Sequence, residues 1–206
     1  MSWLGKVLQK IKDDNKFMNM SYNETVLKDL LRIIPQKGKV EWIGIRSKKK
    51  EELSVVESVK VEKETGLEGD HFKGSSSGKR QVTLIQQEHL NAVSSILGKK
   101  RIDPKLTRRN IVVSGINLLS LKHQQFRIGD VTLETTGICA PCSRMEENLG
   151  AGGYNAMRGH GGITAIVIED GEIQLGDTIE LVGYVIDNCS SIMLNFSGTT
   201  EKHPEV

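Results

Sequence analysis

The chain is poor in cysteine, in aromatic residues and in net charge, and each shortage excludes something. Three cysteines in 206 residues, Cys139, Cys142 and Cys189, are too few for a disulfide scaffold and fit a reducing cytoplasm. Aromatics at 4% leave little with which to stack the bases of a single strand. A formal charge of +2 does not call for a nucleic-acid partner. No apolar run nears the roughly twenty residues of a bilayer-spanning helix. The start of the chain does not read as a signal peptide, because no apolar core with a small-residue cleavage site follows. What remains is ordinary for a folded domain, with 37% hydrophobic and 26% charged residues, enough for one core with extensions.

In Met1–Lys16, the residues Trp3, Leu4, Val7, Leu8 and Ile11 share one helical face, with lysines around it. Such a helix lies on a membrane surface, or packs on the domain or on a second copy in a homodimer. A second helix is predicted from Ser21, where Ser21 and Glu24 form a capping-box pattern, and Pro35 ends it. After Gly38 the texture becomes that of strands. Strands are predicted at Val40–Arg46, Ser54–Glu62, Gln81–Ile85, Ile111–Val113, Gln125–Ile128, Val131–Thr135, Ile163–Glu169, Glu172–Gln174 and Thr178–Val182. Lys48–Glu52 reads as a charged hairpin loop, and Asp170-Gly171 as a tight hairpin turn. One helix is predicted over Gln86–Leu97, with Leu90, Val93, Ile96 and Leu97 facing inward and Gly98 as its stop. Gly129-Asp130 and Gly176-Asp177 join strands in similar local contexts, but no longer repeat exists. Many short strands, turn glycines and few helices imply a mostly β fold, a small closed or nearly closed β-barrel with a few helices. The expected organisation is a helical extension over 1–37, the barrel domain over 38–185 and a tail over 186–206.

The densest chemical constellation is Cys139-Ala140-Pro141-Cys142-Ser143-Arg144. A helix beginning at Ser143 or Arg144 would put Cys142 at its N-terminal end, where free N–H groups and nearby Arg144 favour the thiolate. A thiolate is a nucleophile and a soft metal ligand; the alternative is a buried, inert cysteine. The pair also permits a redox disulfide, or half of a zinc site. Gly66-Leu67-Glu68-Gly69-Asp70-His71 is an acidic turn flanked by glycines, with His71 either a site residue or a structural histidine. Ser75 through Arg80 is a polar loop without the spacing of a P-loop. Arg108-Arg109-Asn110 enters a strand, where an arginine can grip phosphate or form a surface ion pair. The glycine-dense stretch from Gly150 through Gly161 and Gly162 reads as a rim loop over a pocket, or as plain turns.

These pieces, in this order, resemble the MOSC family, named for the C-terminal domain of molybdenum cofactor sulfurases. The matching segments are Gly66–Asp70, Arg80–Leu84, Arg109–Ile111 with Gly115–Leu118, Pro141-Cys142, and Gly161-Gly162 leading to Gly171–Asp177. Nothing in the chain matches the pyridoxal-phosphate lyase domain of full-length sulfurases, so the resemblance is to the small stand-alone bacterial form. It implies a β-barrel and a cysteine, carried onto Cys142, that ligates molybdenum or carries sulfur. It also implies a molybdenum-pterin cofactor with a phosphate, held by Gly69, Asp70, His71, Arg80, Arg109, Asn110, Gly161 and Gly162, with Cys139 and Arg144 beside the thiol. His160 stands beside the double glycine where an arginine would be more in keeping.

Three functions stay open at this stage. One is a molybdenum-cofactor protein, either a small reductase or a sulfur carrier working with sulfur donor or acceptor proteins. A second is a cofactor-free thiol–disulfide protein using Cys139 and Cys142, although the βαβ context of thioredoxin-like folds is missing. The third is a nucleic-acid-binding small barrel using Lys99, Lys100, Arg101, Arg108 and Arg109, which the low aromatic content and small charge oppose.

Overall fold

The computed structural model describes residues 30–31, 33–48, 51–72 and 78–182. The expected N-terminal helix, most of the second helix, the Ser75–Ser77 loop, Cys189 and the tail lie outside them. Eleven strands follow in order: β1 (Gly38–Ile45), β2 (Ser54–Val56), β3 (Ser58–Glu62), β4 (Gly66–Leu67), β5 (Val82–Gln86), β6 (Ile111–Ser114), β7 (Gln125–Ile128), β8 (Val131–Ile138), β9 (Ile163–Glu169), β10 (Gly171–Gln174) and β11 (Thr178–Leu181). Among the described residues, four short α-helices, α1 (Gln87–Ile96), α2 (Pro104–Thr107), α3 (Arg144–Leu149) and α4 (Gly153–Ala156), and one 3-10 turn (Leu118–Leu121) interrupt them.

The expected barrel is there, and it closes. The order β11-β7-β8-β9-β5-β6-β1 returns on itself because β1 also pairs with β11, through Gly38 opposite Ile179. Seven strands thus form the wall, and β2 extends it beyond β1. Closure leaves no unpaired edge within the seven strands. All pairings in the wall are antiparallel except β5 with β6, which needs a crossover and receives one through α1 and α2. β10, β3 and β4 form a second, three-stranded sheet.

Period-2 alternation explains two cores. Val82 and Leu84 of β5 and Ile111 and Val113 of β6 point into the barrel, with Phe126, Leu133, Ile163 and Ile179. Their alternates Ile85 and Val112 point outward and meet Leu90, Val93, Met145, Leu149 and Met157 of the helical layer. These strands are apolar on both faces because both faces are covered.

Several expectations need correction. Ser54–Glu62 is not one strand. The chain changes sheets at Glu57, with Val56 opposite Ile43 in the barrel and Ser58 opposite Gln174 in the small sheet. Asp170-Gly171 is not a hairpin, because β9 pairs with β5 and β8 whereas β10 pairs with β3. The Asp170 carboxylate instead accepts the Lys63 N–H at 2.7 Å. Gly129-Asp130 is a two-residue turn between β7 and β8, and Gly129 takes φ 54°, where a side chain would be strained. Ile96 is 60% exposed rather than inward-facing. No helix among the described residues is long and apolar enough to cross a membrane.

Candidate functional site

Register decides which strand ends meet. Ile43 of β1 lies opposite Ile111 of β6, Leu84 of β5 opposite both Ile111 and Ile163 of β9, and Ile163 opposite Ile138 of β8. The C-terminal ends of β1 and β8 therefore share one barrel mouth with the N-terminal ends of β6 and β9. A cavity of about 300 Å³ opens there, lined by Arg46, Asp70, His71, Phe72, Arg80, Thr83, Arg108, Arg109, Asn110, Cys139, Ala140, Cys142 and Met145. Segments that are far apart in sequence thus converge on one pocket, as a barrel mouth permits.

Asp70, His71, Arg80, Arg109, Asn110, Cys139 and Cys142, singled out from the sequence, all line this cavity. Gly69, Gly161 and Gly162 do not; Arg144 lines a neighbouring cavity of about 470 Å³ that shares Arg46 and Arg108. The stretch from Gly150 is not a rim over Cys142. Its residues Gly153–Ala156 form α4 and most of the others are turns; the Glu146 carboxylate anchors the start, accepting the N–H groups of Gly152 (2.7 Å) and Tyr154 (2.8 Å). Those two bonds, Tyr154's first, hold the Glu146 carboxyl below its ordinary pKa.

Cys142 is exposed, whereas Cys139 is buried. The helix expected after Cys142 begins at Arg144, and the Met145 N–H donates to the Cys142 carbonyl at 2.8 Å. Cys139 is pinned through its backbone. Its N–H donates to the Gly162 carbonyl at 2.8 Å, and its carbonyl accepts from Arg109 at 3.1 Å.

Arg109 departs most from a simple phosphate fork. It is 6% exposed, and its Nε donates to the Gly161 carbonyl (2.7 Å), one terminal nitrogen to Thr107 (2.8 Å) and the other to Cys139. It ties together the loops before β6, after β8 and before β9, and offers the cavity mainly its charge. Burial lowers its pKa first, while the thiols of Cys139 and Cys142 act against that shift. The guanidinium stays cationic, given how high arginine starts. Asn110 is also a staple: its Oδ1 accepts from the Thr83 hydroxyl (2.7 Å) and its Nδ2 donates to the Gly44 carbonyl (3.2 Å). Asp70 accepts the Arg46 N–H at 2.8 Å and clasps its turn to the end of β1. The double glycine is needed for close approach. A Cβ at Gly161 would run into the Cys139 carbonyl oxygen, and one at Gly162, where φ is +79°, into that of Leu84.

Two arginines escaped the sequence reading of the pocket. Arg46 follows β1 with no local motif, and its buried Nε has no hydrogen-bond partner among the described residues. Arg108, offered by the sequence at the strand entry with Arg109 and as a nucleic-acid cation but not as a cofactor-binding residue, sits at φ 61°, an uncommon conformation for a side-chain-bearing residue. Burial and then the guanidiniums of Arg46 and Arg144 hold its pKa down, and Cys142 acts in the other direction. None of Arg46, Arg80, Arg108, Arg109 or Arg144 is ion-paired with a carboxylate among the described residues. Lys99, Lys100, Arg101, Arg108 and Arg109 do not form a free stripe, because Arg109 is buried and Lys99 donates to the Leu149 carbonyl at 2.6 Å.

A closed seven-strand barrel with a cysteine and unpaired arginines at one mouth defines the class. The MOSC domain model matches residues 67–180, more than half of the chain, and the chain belongs to that family, which is associated with molybdenum-cofactor binding. No curated protein matches it. Among solved structures it is similar to the YuaD protein of Bacillus subtilis, at 22% identity and TM-score 0.64, covering 72% of this chain and 98% of that one. It is also similar to YiiM of Geobacillus stearothermophilus (16%, TM-score 0.58, covering 70% and 75%) and YiiM of Escherichia coli (19%, TM-score 0.54, covering 71% of each). At these identities the likeness is one of fold.

Proposed function

We propose that the barrel-mouth cavity binds an anionic molybdenum–pterin bearing a phosphate, with Cys142 as the thiolate that ligates molybdenum or carries sulfur. The observation that carries this reading is the donor set. An exposed cysteine shares one cavity with Arg46, Arg80, Arg108 and Arg109 and with a single carboxylate, Asp70, which already serves the Arg46 backbone. Four cations against one anion favour a multiply charged ligand, and a soft thiolate suits molybdenum. When bound, such a group supplies two-electron redox chemistry or a transferable sulfur.

The chain's own residues take distinct parts. Arg80, which is exposed, has donors available for phosphate, and Arg46 lines the cavity with its buried Nε unpartnered among the described residues. Arg109 and Arg108 contribute positive charge to the cavity that Cys142 lines. Asp70 and Asn110 hold the walls in place. The test is metal analysis of protein made in a host that produces the cofactor. Molybdenum at close to one per chain, lost in Cys142→Ser with unchanged thermal stability, supports the reading. Absence of molybdenum and of oxidised-pterin fluorescence from the wild-type protein refutes it.

A further inference from the structure

We propose that Cys139 is the resolving thiol for Cys142: once a hydroperoxide oxidises Cys142, the two cysteines close an intrachain disulfide that masks the exposed sulfur. This goes beyond the cofactor reading and does not depend on it. Both cysteines line the same cavity, one exposed and one buried, with two residues between them in the chain. A peroxide entering from solvent meets Cys142 first. Cys139 is sheltered from solvent and held by its backbone bonds to Gly162 and Arg109. Arg109 lines the same cavity and holds the Cys139 carbonyl. A buried thiol whose backbone is anchored, lining the same cavity as an exposed one, is placed to capture a sulfenate before it oxidises further.

The chemistry balances in two steps. The Cys142 thiolate attacks a hydroperoxide; the O–O bond breaks, an S–O bond forms, and the departing alkoxide takes a proton to leave as alcohol. The sulfur loses two electrons and becomes a sulfenic acid. The Cys139 sulfur then attacks that of Cys142; the S–S bond forms, the S–O bond breaks, and hydroxide leaves with the Cys139 proton as water. A dithiol reductant reverses the result.

The full chain, purified and reduced, is treated with hydrogen peroxide, digested with trypsin without reduction, and weighed. Cleavage after Arg127 and Arg144 leaves both cysteines in one peptide that contains no methionine, so its mass reports on these two sulfurs alone. The expected result is loss of two hydrogens from that peptide, restored by dithiothreitol, in the wild type and equally in Cys189→Ser. In Cys139→Ala the same peptide should instead gain oxygen, with sulfinate accumulating on the order of tenfold faster than in the wild type, because an intramolecular capture step is lost. A wild-type peptide that gains two oxygens without losing hydrogens overturns the proposal, as does a Cys142 disulfide to Cys189 or to a second chain. The wild-type measurement stands even if Cys139→Ala folds poorly. Molybdenum content, measured separately, tells its failure apart from failure of the cofactor reading.

Discussion

Replacing Arg109 by lysine keeps the charge at the barrel mouth and removes the fork. In the folded protein the three guanidinium nitrogens reach three diverging carbonyls, those of Gly161, Thr107 and Cys139, from a nearly fully buried position. An ammonium on a flexible stem can serve one of them well. Two carbonyls then lose a charged donor, at about 1–2 kcal/mol each once some water relaxes in. The loss of stability comes to about 2–4 kcal/mol, and at about 2–4 °C per kcal/mol for a chain of this size the melting temperature should fall by about 5–15 °C. The assay is thermal unfolding of the cofactor-free protein by circular dichroism, so that ligand retention does not enter. Because Arg109 also holds the Cys139 loop, alkylation of Cys139 should accelerate in the folded variant. A melting temperature within about 2 °C of wild type, with unchanged thiol reactivity, would refute the view of Arg109 as a staple and return it to the role of a free phosphate-binding fork.

Cys142 should be alkylated well before Cys139 in the reduced, folded protein, because one is exposed and the other buried; mass spectrometry checks the order, and prior labelling of Cys139 would contradict it. Gly162→Ala should be severely destabilising, by more than about 3 kcal/mol, since its Cβ meets the Leu84 carbonyl at positive φ. Gly159→Ala, at φ +79° but with open space around it, should cost only about 1 kcal/mol; equal effects on chemical denaturation would falsify this distinction. The Glu146 carboxyl is held low by its two backbone bonds, so its contribution is present above the ordinary carboxylate pKa and lost as pH falls through the lower folded value. Glu146→Gln should therefore melt lower than wild type at neutral pH, with the gap closing in acid; a gap independent of pH would sink the argument. Burial first, and then His160 at a ring-centroid distance of 4.9 Å, lower the His89 pKa. In His160→Asn the His89 ring should titrate at higher pH by NMR, and an unmoved titration would show that the pair is not coupled.

Much of the barrel was legible because its signals are local. β7 and β9 fall on the predicted residues, and α1 lies within the predicted helix, with Leu90 and Val93 buried as its periodicity requires. Alternation of apolar and polar side chains needs no knowledge of the partner strand. The failures share a cause. Asp170-Gly171 has the composition of a hairpin turn, and Ser54–Glu62 reads as one continuous strand. Yet in both places the chain passes from one sheet to the other, and a change of partner leaves no mark on local propensity.

For the site, the sequence by itself determined the chemistry available: a proline-flanked cysteine, a second thiol three residues earlier, arginines entering strands, and glycines where backbones must touch. Their ordered spacing also determined the family. Only the tertiary structure decided their employment. Closing seven strands in one register placed Arg46 and Arg108 beside Cys142, turned Arg109 and Asn110 into staples of the wall, and sent Arg144 to the next cavity. The reason is that a side chain's role depends on which polar groups lie within hydrogen-bonding distance, and across a barrel mouth those groups come from strands whose pairing is non-local.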